Sequence, residues 1–448
     1  MIRDLTKGNP ARVIFIYSLP IIIGNVFQQV YNFVDNVIVG RYVSYQALAG
    51  VGVTNGMTYL MLGFMVGITG GLGVKTAQHF GSGDIANVRK SIATGIVVCS
   101  AFAAVMTAAS VLLADPVLRL LGAGPDIFGY ARDYSVIIFA GLATQAAYNF
   151  ISSVLRALGD SRTPLYFLIF SSVLNVVLDF LFVCGTGWGV RGAAFATVLS
   201  QLLSAVLCFI YAFTRYKEIR LRRSDFKLDG KFISDHLSLS FPMAVQSSII
   251  AVGVIFLNAA LASFPSQYIA GFSAASRTSN LGALVPVSLG VAMANYAGQN
   301  YGAGMMKRIR QGVRACCLMA MGVCLPVSSA MLVFPEQLTS LFVDPDTAGD
   351  VADIYDASVR YLRVSASLFP FLFLIFIFRN ALLGIGRPFW PFMACVGELV
   401  LRAVTSFIFP KMFGYTGVIY VDCLSWVVAC LIVFLAYVFI VVRKGAEV

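Results

Sequence analysis

The chain has 448 residues, of which 59% are hydrophobic and 12% charged, at a mean hydropathy of +0.84. Soluble domains carry about twice that charged share, so a soluble globular protein is excluded. The net charge of +11 does not make a nucleic-acid surface either, because its cations fall in short segments between apolar runs instead of on one face interleaved with aromatic residues.

Crossing the hydrocarbon core takes about 20 apolar residues. Runs of that kind are predicted at residues 14–40, 47–74, 91–114, 134–155, 165–185 and 190–213, and again at 237–263, 268–295, 313–334, 361–383, 389–409 and 415–442. They are too long and continuous for the alternating strands of an outer-membrane barrel, so all are expected to be helices. The first run keeps Asp35 and has no small-x-small cleavage site, which makes it a first span and not a signal peptide.

Between the sixth and seventh runs lie Arg215, Lys217, Arg220, Arg222, Arg223, Lys227 and Lys231. With an even number of spans, this segment falls on the same side as Arg3, Lys7 and Arg12, as residues 307–314, and as Arg443 and Lys444. Loops so rich in Lys and Arg stay in the cytoplasm. Both termini are therefore expected there, in the plasma membrane. The loop after the ninth run holds Glu336, Asp344, Asp346, Asp350 and Asp353 without Lys or Arg, and is expected outside.

The chain repeats itself. AQHFGSGDIANVRK (77–90) returns as GQNYGAGMMKRIRQ (298–311), about 221 residues on, and Pro20 and Gly50 match Pro242 and Gly271 in the same register. VLRALGDSRTP (154–164) echoes IFRNALLGIGRP (377–388), and GVRGAAFATVLSQ (189–201) echoes GYTGVIYVDCLSW (414–426). The fold expected is an all-α integral membrane protein of twelve transmembrane helices in two pseudo-symmetric six-helix lobes around a central cleft, related by an axis along the membrane normal. Residues 1–214 form the N-lobe, 215–236 a basic cytoplasmic linker, and 237–448 the C-lobe with a short tail. Gly81, Gly83, Gly302 and Gly304 read as turn formers, since no strand precedes them as a phosphate loop would require.

Acidic residues inside the apolar runs are the sharpest pointers to function, each costing about 2.5 to 3.5 kcal/mol at mid-membrane on insertion scales. Asp35 lies in the first run, with Gln28, Tyr31 and Asn32 seven, four and three residues before it on its helical face. The fifth run places Ser171 or Ser172, Asn175 and Asp179 on one stripe, and the sixth places Thr197 four residues before Gln201. From the helical rise, Asp35, Asp179 and Thr197 lie roughly 7, 9 and 10 Å from the outer ends of their spans. At one depth they can meet as an oxygen cluster that suits Na⁺ or a shared proton, or Asp35 and Asp179 can each hydrogen-bond to a neighbouring helix as polar glue. Elsewhere, Glu398 and Arg402 are spaced as a structural ion pair. Arg277 and Asp422 either approach each other or line the substrate cavity, and Asp356 with Arg360 reads as an interfacial pair. His79 and His236, near helix ends, do not suggest a metal centre, and the nine cysteines read as small apolar residues. A membrane-embedded enzyme would need a nucleophile with its base or a metal cluster, and neither is evident.

These residues resemble the multidrug and toxic compound extrusion (MATE) transporters along the whole chain. SLPIIIGNVFQQVYNFVDNVIVGR is similar to that family's first helix, with Pro20 fifteen residues before Asp35, and QHFGSGD and QNYGAG resemble its paired Gln-x-x-Gly turns. The resemblance implies a cation or proton site at Asp35, Asn175, Asp179 and Thr197. It also implies export of cationic or amphipathic small molecules against inward H⁺ or Na⁺ by alternating access, without a cofactor. Gln28, Tyr31, Asn32, Gln201, Arg277 and Asp422 are candidates for the substrate cavity, and Pro20 for bending the first helix. The spans at 237–263 and 361–383 hold no acid, so the chain looks closer to the DinF-like than to the NorM-like branch. A flippase of a lipid-linked precursor, or an exporter of an endogenous metabolite, shares the same plan. The expected partners are small-molecule substrates and the lipid bilayer, with no nucleic acid, and nothing demands more than a monomer.

Overall fold

The computed structural model describes residues 4–227, 229–344 and 351–443. Arg3, Asp346, Asp350 and Lys444, used in the charge argument, lie outside the described residues. In chain order the α-helices are α1 (Pro10–Tyr42), α2 (Tyr45–Gly81), α3 (Ile85–Leu112), α4 (Ala114–Leu120), α5 (Pro125–Ala140), α6 (Leu142–Ala157), α7 (Arg162–Asp179) and α8 (Gly189–Arg215). They continue with α9 (Gly230–Leu261), α10 (Ser266–Gly302), α11 (Met306–Val333), α12 (Pro335–Ser340), α13 (Val351–Gly384), α14 (Phe389–Phe413) and α15 (Tyr415–Tyr437). Among the described residues there is no strand. Among the described residues, eleven helices are long and apolar enough to span, and the bent pair α5 and α6 makes a twelfth if it is counted as one span.

That twelfth span is not straight. The uninterrupted helix predicted at 134–155 is bent by 46° between α5 and α6. The break falls at Gly141, where an added Cβ would lie 2.3 Å from Val198 Cγ2 of α8, so α8 packs directly against exposed backbone. Large apolar side chains such as Phe33, Tyr166, Leu318 and Phe407 are exposed, as expected where the surrounding solvent is lipid.

The described chain forms two compact units. The first comprises Met1–Lys7, Ile16–Ser248 and Gly298–Gly304, and the second Gly8–Phe15, Ile249–Ala297 and Met305–Val448. The repeat shows in the packing of each. In the first, Gly50 of α2 meets α5 backbone, with Ile127 O 3.1 Å from its Cβ position; in the second, Gly271 of α10 meets α13, with Ile354 O at 2.4 Å.

The segment expected to be a linker is packed into the first unit. Two short 3₁₀ turns, Lys217–Ile219 and Arg223–Phe226, lead into α9, and Tyr216, Ile219, Leu221 and Ile233 join a core built from α2, α3, α6 and α8. Its charges also find partners, Asp225 with Arg89 at 3.4 Å and Asp235 with Lys75 at 2.8 Å. The apolar residues spaced among the basic ones explain why a segment that reads as cationic is not free.

The turn before α7 is held by Asp160, whose carboxylate accepts from the Arg162 and Thr163 amides at 3.0 and 3.1 Å and from the Thr163 hydroxyl at 2.6 Å. The Tyr216 hydroxyl donates to the same group. Burial would push this carboxyl up, but the bonds from Thr163 and Tyr216 hold it below the ordinary carboxylate range. Its stabilising contribution is therefore complete above the unfolded value of about 3.9 and is lost as pH falls through the lower native value. Tyr216→Phe is expected to cost about 1.5 to 3 kcal/mol, since the lost bond is to a charged group. Melting curves of the purified chain check this, and the gap between variant and parent should narrow below about pH 4.

Candidate functional site

The site is built on α1, α7 and α8 of the first unit. Asp179 ends α7 at 0% exposure and Asp35 lies two turns from the end of α1 at 8%, with Asn175 and Thr197 also buried. Turned with its nitrogen toward the acid, the Asn175 amide donates to Asp179 Oδ2 at 3.2 Å. Its other terminal atom lies 3.4 Å from Thr197 Oγ1. Thr197 donates its hydroxyl to Ala193 O at 3.1 Å, which leaves its lone pairs toward the cluster. Asp35 and Asp179 lie within electrostatic reach of each other.

What surrounds these acids decides their chemistry. Oδ1 of Asp35 and Oδ1 of Asp179 are buried without a hydrogen-bond partner, and among the described residues neither acid makes an ion pair. A buried carboxylate without a compensating cation is costly. Two of them facing one another can be relieved by a shared proton or by a small cation that takes oxygen ligands. Among the described residues no group of three His, Cys, Asp or Glu side chains is arranged for a metal ion, so the ligand set here would mix carboxylate, amide and hydroxyl oxygens.

Tyrosines close the cluster. The Tyr31 hydroxyl is in hydrogen-bonding reach of Thr197 and close to both acids. Tyr134 of α5 lies near Asp35, Tyr31 and Asp179. Sequence reasoning used Tyr134 only as the start of a span. The available signal was that a tyrosine inside an apolar run needs a partner for its hydroxyl.

The remaining candidates are placed differently. Of the stripe before Asp35, Tyr31 joins the acids, while Gln28 and Asn32 are exposed and Gln201 is half-buried. Pro20 lies inside α1, which continues through it. In the second unit, Glu398 and Arg402 pair at 2.9 Å. Asp422 engages Arg402 at 2.8 Å and not Arg277, which is exposed on α10. Asp356 and Arg360 pair at 2.8 Å. His236 is buried, with Nε2 2.8 Å from Ser91 Oγ and Nδ1 2.8 Å from Phe232 O.

The glycine motifs correct the turn reading in part. Gly83 and Gly304 have φ of +76° and +72° and do form turns, but Gly81 and Gly302 are the last residues of α2 and α10. A Cβ at Gly81 would lie 1.9 Å from Gln299 O, and one at Gly302 would lie 1.9 Å from Gln78 O. Within the first unit, the two motifs pack backbone to backbone.

Comparison with known proteins agrees with this architecture. The MatE family model matches residues 20–181 and 242–408, one segment in each half of the repeat. The chain is 28% identical over 418 residues to the "Probable multidrug resistance protein YpnP" of Bacillus subtilis, covering 93% of this chain and 92% of that protein. It is 23% identical over 410 residues to the "FAD transporter" of Shewanella oneidensis, covering 89% and 88%. A solved structure described as the outward-facing conformation of a multidrug resistance MATE family transporter superposes with a TM-score of 0.91 at 22% identity, covering 98% and 97%. With a family model matched in both halves and the helices to fit it, the chain belongs to the MatE family of multi-pass membrane transporters and is not an enzyme.

Proposed function

We propose that the chain is a secondary active antiporter that exports cationic or amphipathic small molecules in exchange for inward H⁺ or Na⁺, with Asp35, Asn175, Asp179 and Thr197 as the coupling site. The observation that carries this reading is the pair of buried, unpartnered carboxylate oxygens on Asp35 and Asp179. The insertion cost of both acids is retained with no counter-ion, as expected of groups that bind and release a cation in each cycle. Tyr31 of α1, in reach of Thr197 of α8, lies beside both acids, so their neutralisation would change the packing of α1 against α8. Pro20 removes one helical hydrogen bond and lets that helix bend. Gln28, Asn32 and Gln201 line the path of the exported compound, with Arg277 and Asp422 as its candidates in the C-lobe. Coupling in the first lobe alone is the arrangement of the DinF-like branch. The basic segments support an orientation with both termini in the cytoplasm, and the transporter works as a monomer in this reading.

Everted membrane vesicles containing the protein are expected to accumulate ethidium when the lumen is loaded with acid or with Na⁺, and not when both gradients are absent. No accumulation under either gradient overturns the reading. A second reading, export of an endogenous metabolite, is favoured by the similarity to the FAD transporter of Shewanella oneidensis. Gradient-driven accumulation of FAD in place of ethidium in the same vesicles identifies it.

A further inference from the structure

The repeat lets the coupling site be traced into the second unit position by position. Tyr134 comes seven residues after Ile127, whose carbonyl meets Gly50, and Tyr361 comes seven after Ile354, whose carbonyl meets Gly271. Thr197 comes eight residues after Gly189 and Asp422 eight after Gly414, the aligned glycines of positive φ where α8 and α15 begin. Counted from Pro20 and Pro242, Tyr31 falls on Gly253 and Asp35 on Leu257. On the remaining helix, Asn175 and Asp179 stand 11 and 15 residues after Pro164, and Glu398 and Arg402 stand 10 and 14 after Pro388, the same four-residue step displaced by one.

At these places the second unit makes a closed set of contacts. Arg402 of α14, 4% exposed, donates through Nη2 to Asp422 Oδ1 of α15 at 2.8 Å and to Glu398 Oε1 at 2.9 Å. Its Nε donates to Ser425 Oγ at 3.2 Å, and Tyr361 of α13 donates to Asp422 Oδ2 at 3.0 Å. The arm has room because α9 carries Gly253 where the first unit has Tyr31. A Cβ there would already lie 3.2 Å from Arg402 Cδ and 3.3 Å from Nη1. Leu257, buried at 4% exposure, takes the place of Asp35, so α9 brings no acid at that position. Each unit thus sets two carboxylates beside a tyrosine and a hydroxyl. In the first, both acids keep a buried oxygen without a partner; in the second, a cation of the chain itself lies between them. A helical ion pair needs only Glu398 and Arg402. It requires neither an acid at the place of Thr197 nor a glycine at the place of Tyr31.

We propose that the guanidinium of Arg402 is a built-in cation, standing in the second unit where the coupling cation stands in the first, so that the second unit carries a small-cation site which is permanently filled. The inference rests on the reading of Asp35 and Asp179 as a cation site. A cation held by its own side chain cannot leave, so the second unit keeps one charge state through the cycle while the first exchanges. Without the arm, Glu398, Asp422, Tyr361 and Ser425 offer oxygen ligands that suit Na⁺ or a free guanidinium ion.

The test is the melting of the detergent-solubilised full chain in an Asp35→Asn, Asp179→Asn background, at one mildly alkaline pH, with choline, sodium or guanidinium chloride at equal millimolar concentration. Arg402→Ala is expected to melt about 5 °C or more below its background in choline chloride, because two buried acids lose their partner, and to regain about half of that loss or more in sodium or guanidinium chloride. The background should not respond, nor should Arg402→Ala once Glu398→Gln and Asp422→Asn are added. Equal melting of Arg402→Ala in all three salts overturns the proposal, as does a gain that persists after both acids are neutralised. If Arg402→Ala does not fold in any of the salts, the yield of folded Arg402→Lys and Arg402→Met decides. The tethered ammonium should be recovered in choline chloride and the neutral arm only with Na⁺ or guanidinium present; equal recovery of the two in choline overturns the proposal. Both first-unit acids are absent from this background, so a failure here bears on Arg402 alone, whereas the vesicle experiment bears on the first-unit site.

Discussion

Asp35→Asn and Asp179→Asn are each expected to reduce efflux in a pump-deficient host to the empty-vector background while leaving the protein at least as stable as the parent. The two effects share one cause. Each carboxylate has an oxygen buried without a partner, and replacing it with a neutral amide of the same shape removes a desolvated charge that destabilises the fold. The same replacement removes the group that accepts the incoming cation. One net charge moving inward at about 100 mV contributes about 2.3 kcal/mol, enough for about a fiftyfold gradient of an exported compound that carries no net charge, while a monocation leaving in exchange would draw on the concentration gradient of the incoming ion. Without it, net export stops. Minimal inhibitory concentrations at matched expression, together with melting temperatures in detergent, are the measurements. Unchanged resistance at equal expression removes the coupling claim, and lost resistance with a lowered melting temperature shows that the acids serve the fold.

Gly81→Ala and Gly302→Ala are expected to be the most damaging small substitutions in the chain. A single methyl at either site would sit 1.9 Å from a carbonyl oxygen of the facing motif. The obstacle is helix backbone, which cannot rotate away as a side chain does, so α2 and the end of α10 would have to separate. Overpacking of this kind costs about 3 kcal/mol or more per site. Gln299 adds to the junction, accepting from the Leu5 amide at 2.9 Å and donating to Ala157 O at 2.7 Å, so separation would strain these bonds as well. Gly56 of α2 is the control, because nothing lies within 4 Å of its Cβ position and alanine should be tolerated there. Fluorescence-detected size exclusion after heating compares the three; a Gly81→Ala protein as heat-resistant as Gly56→Ala would refute the close approach.

The helices were legible because a bilayer imposes one requirement, a continuous apolar run, that composition alone reveals. The break at Gly141 was not, because it depends on Val198 of another helix filling the space a side chain would occupy. The stripes through Asp35, Asn175 and Asp179, and Thr197 could be drawn from helical spacing, since i and i+4 share a face whatever the partner. Spacing could not say which stripe neighbours would turn toward the acids. Tyr31 does and Asn32 does not, and Tyr134 arrives from α5, a helix whose place beside the acids spacing within the sequence does not reveal. The role of Gly81 and Gly302 was hidden for a similar reason. Glycine before a turn and glycine at a helix crossing look alike until the other helix is in place.

Asp179 is the last residue of α7, and the six residues that follow, Phe180–Gly185, continue as a π-helix. That wider turn holds about one residue more than an α-turn of the same rise. A chain one residue shorter there could close back to ordinary α geometry, with Asn175 and Asp179 undisturbed on their shared face. The same deletion between Asn175 and Asp179 would swing Asp179 about 100° around the axis, away from Asn175. Natural length variation around this carboxylate should therefore collect on its C-terminal side, where the wide turn acts as slack.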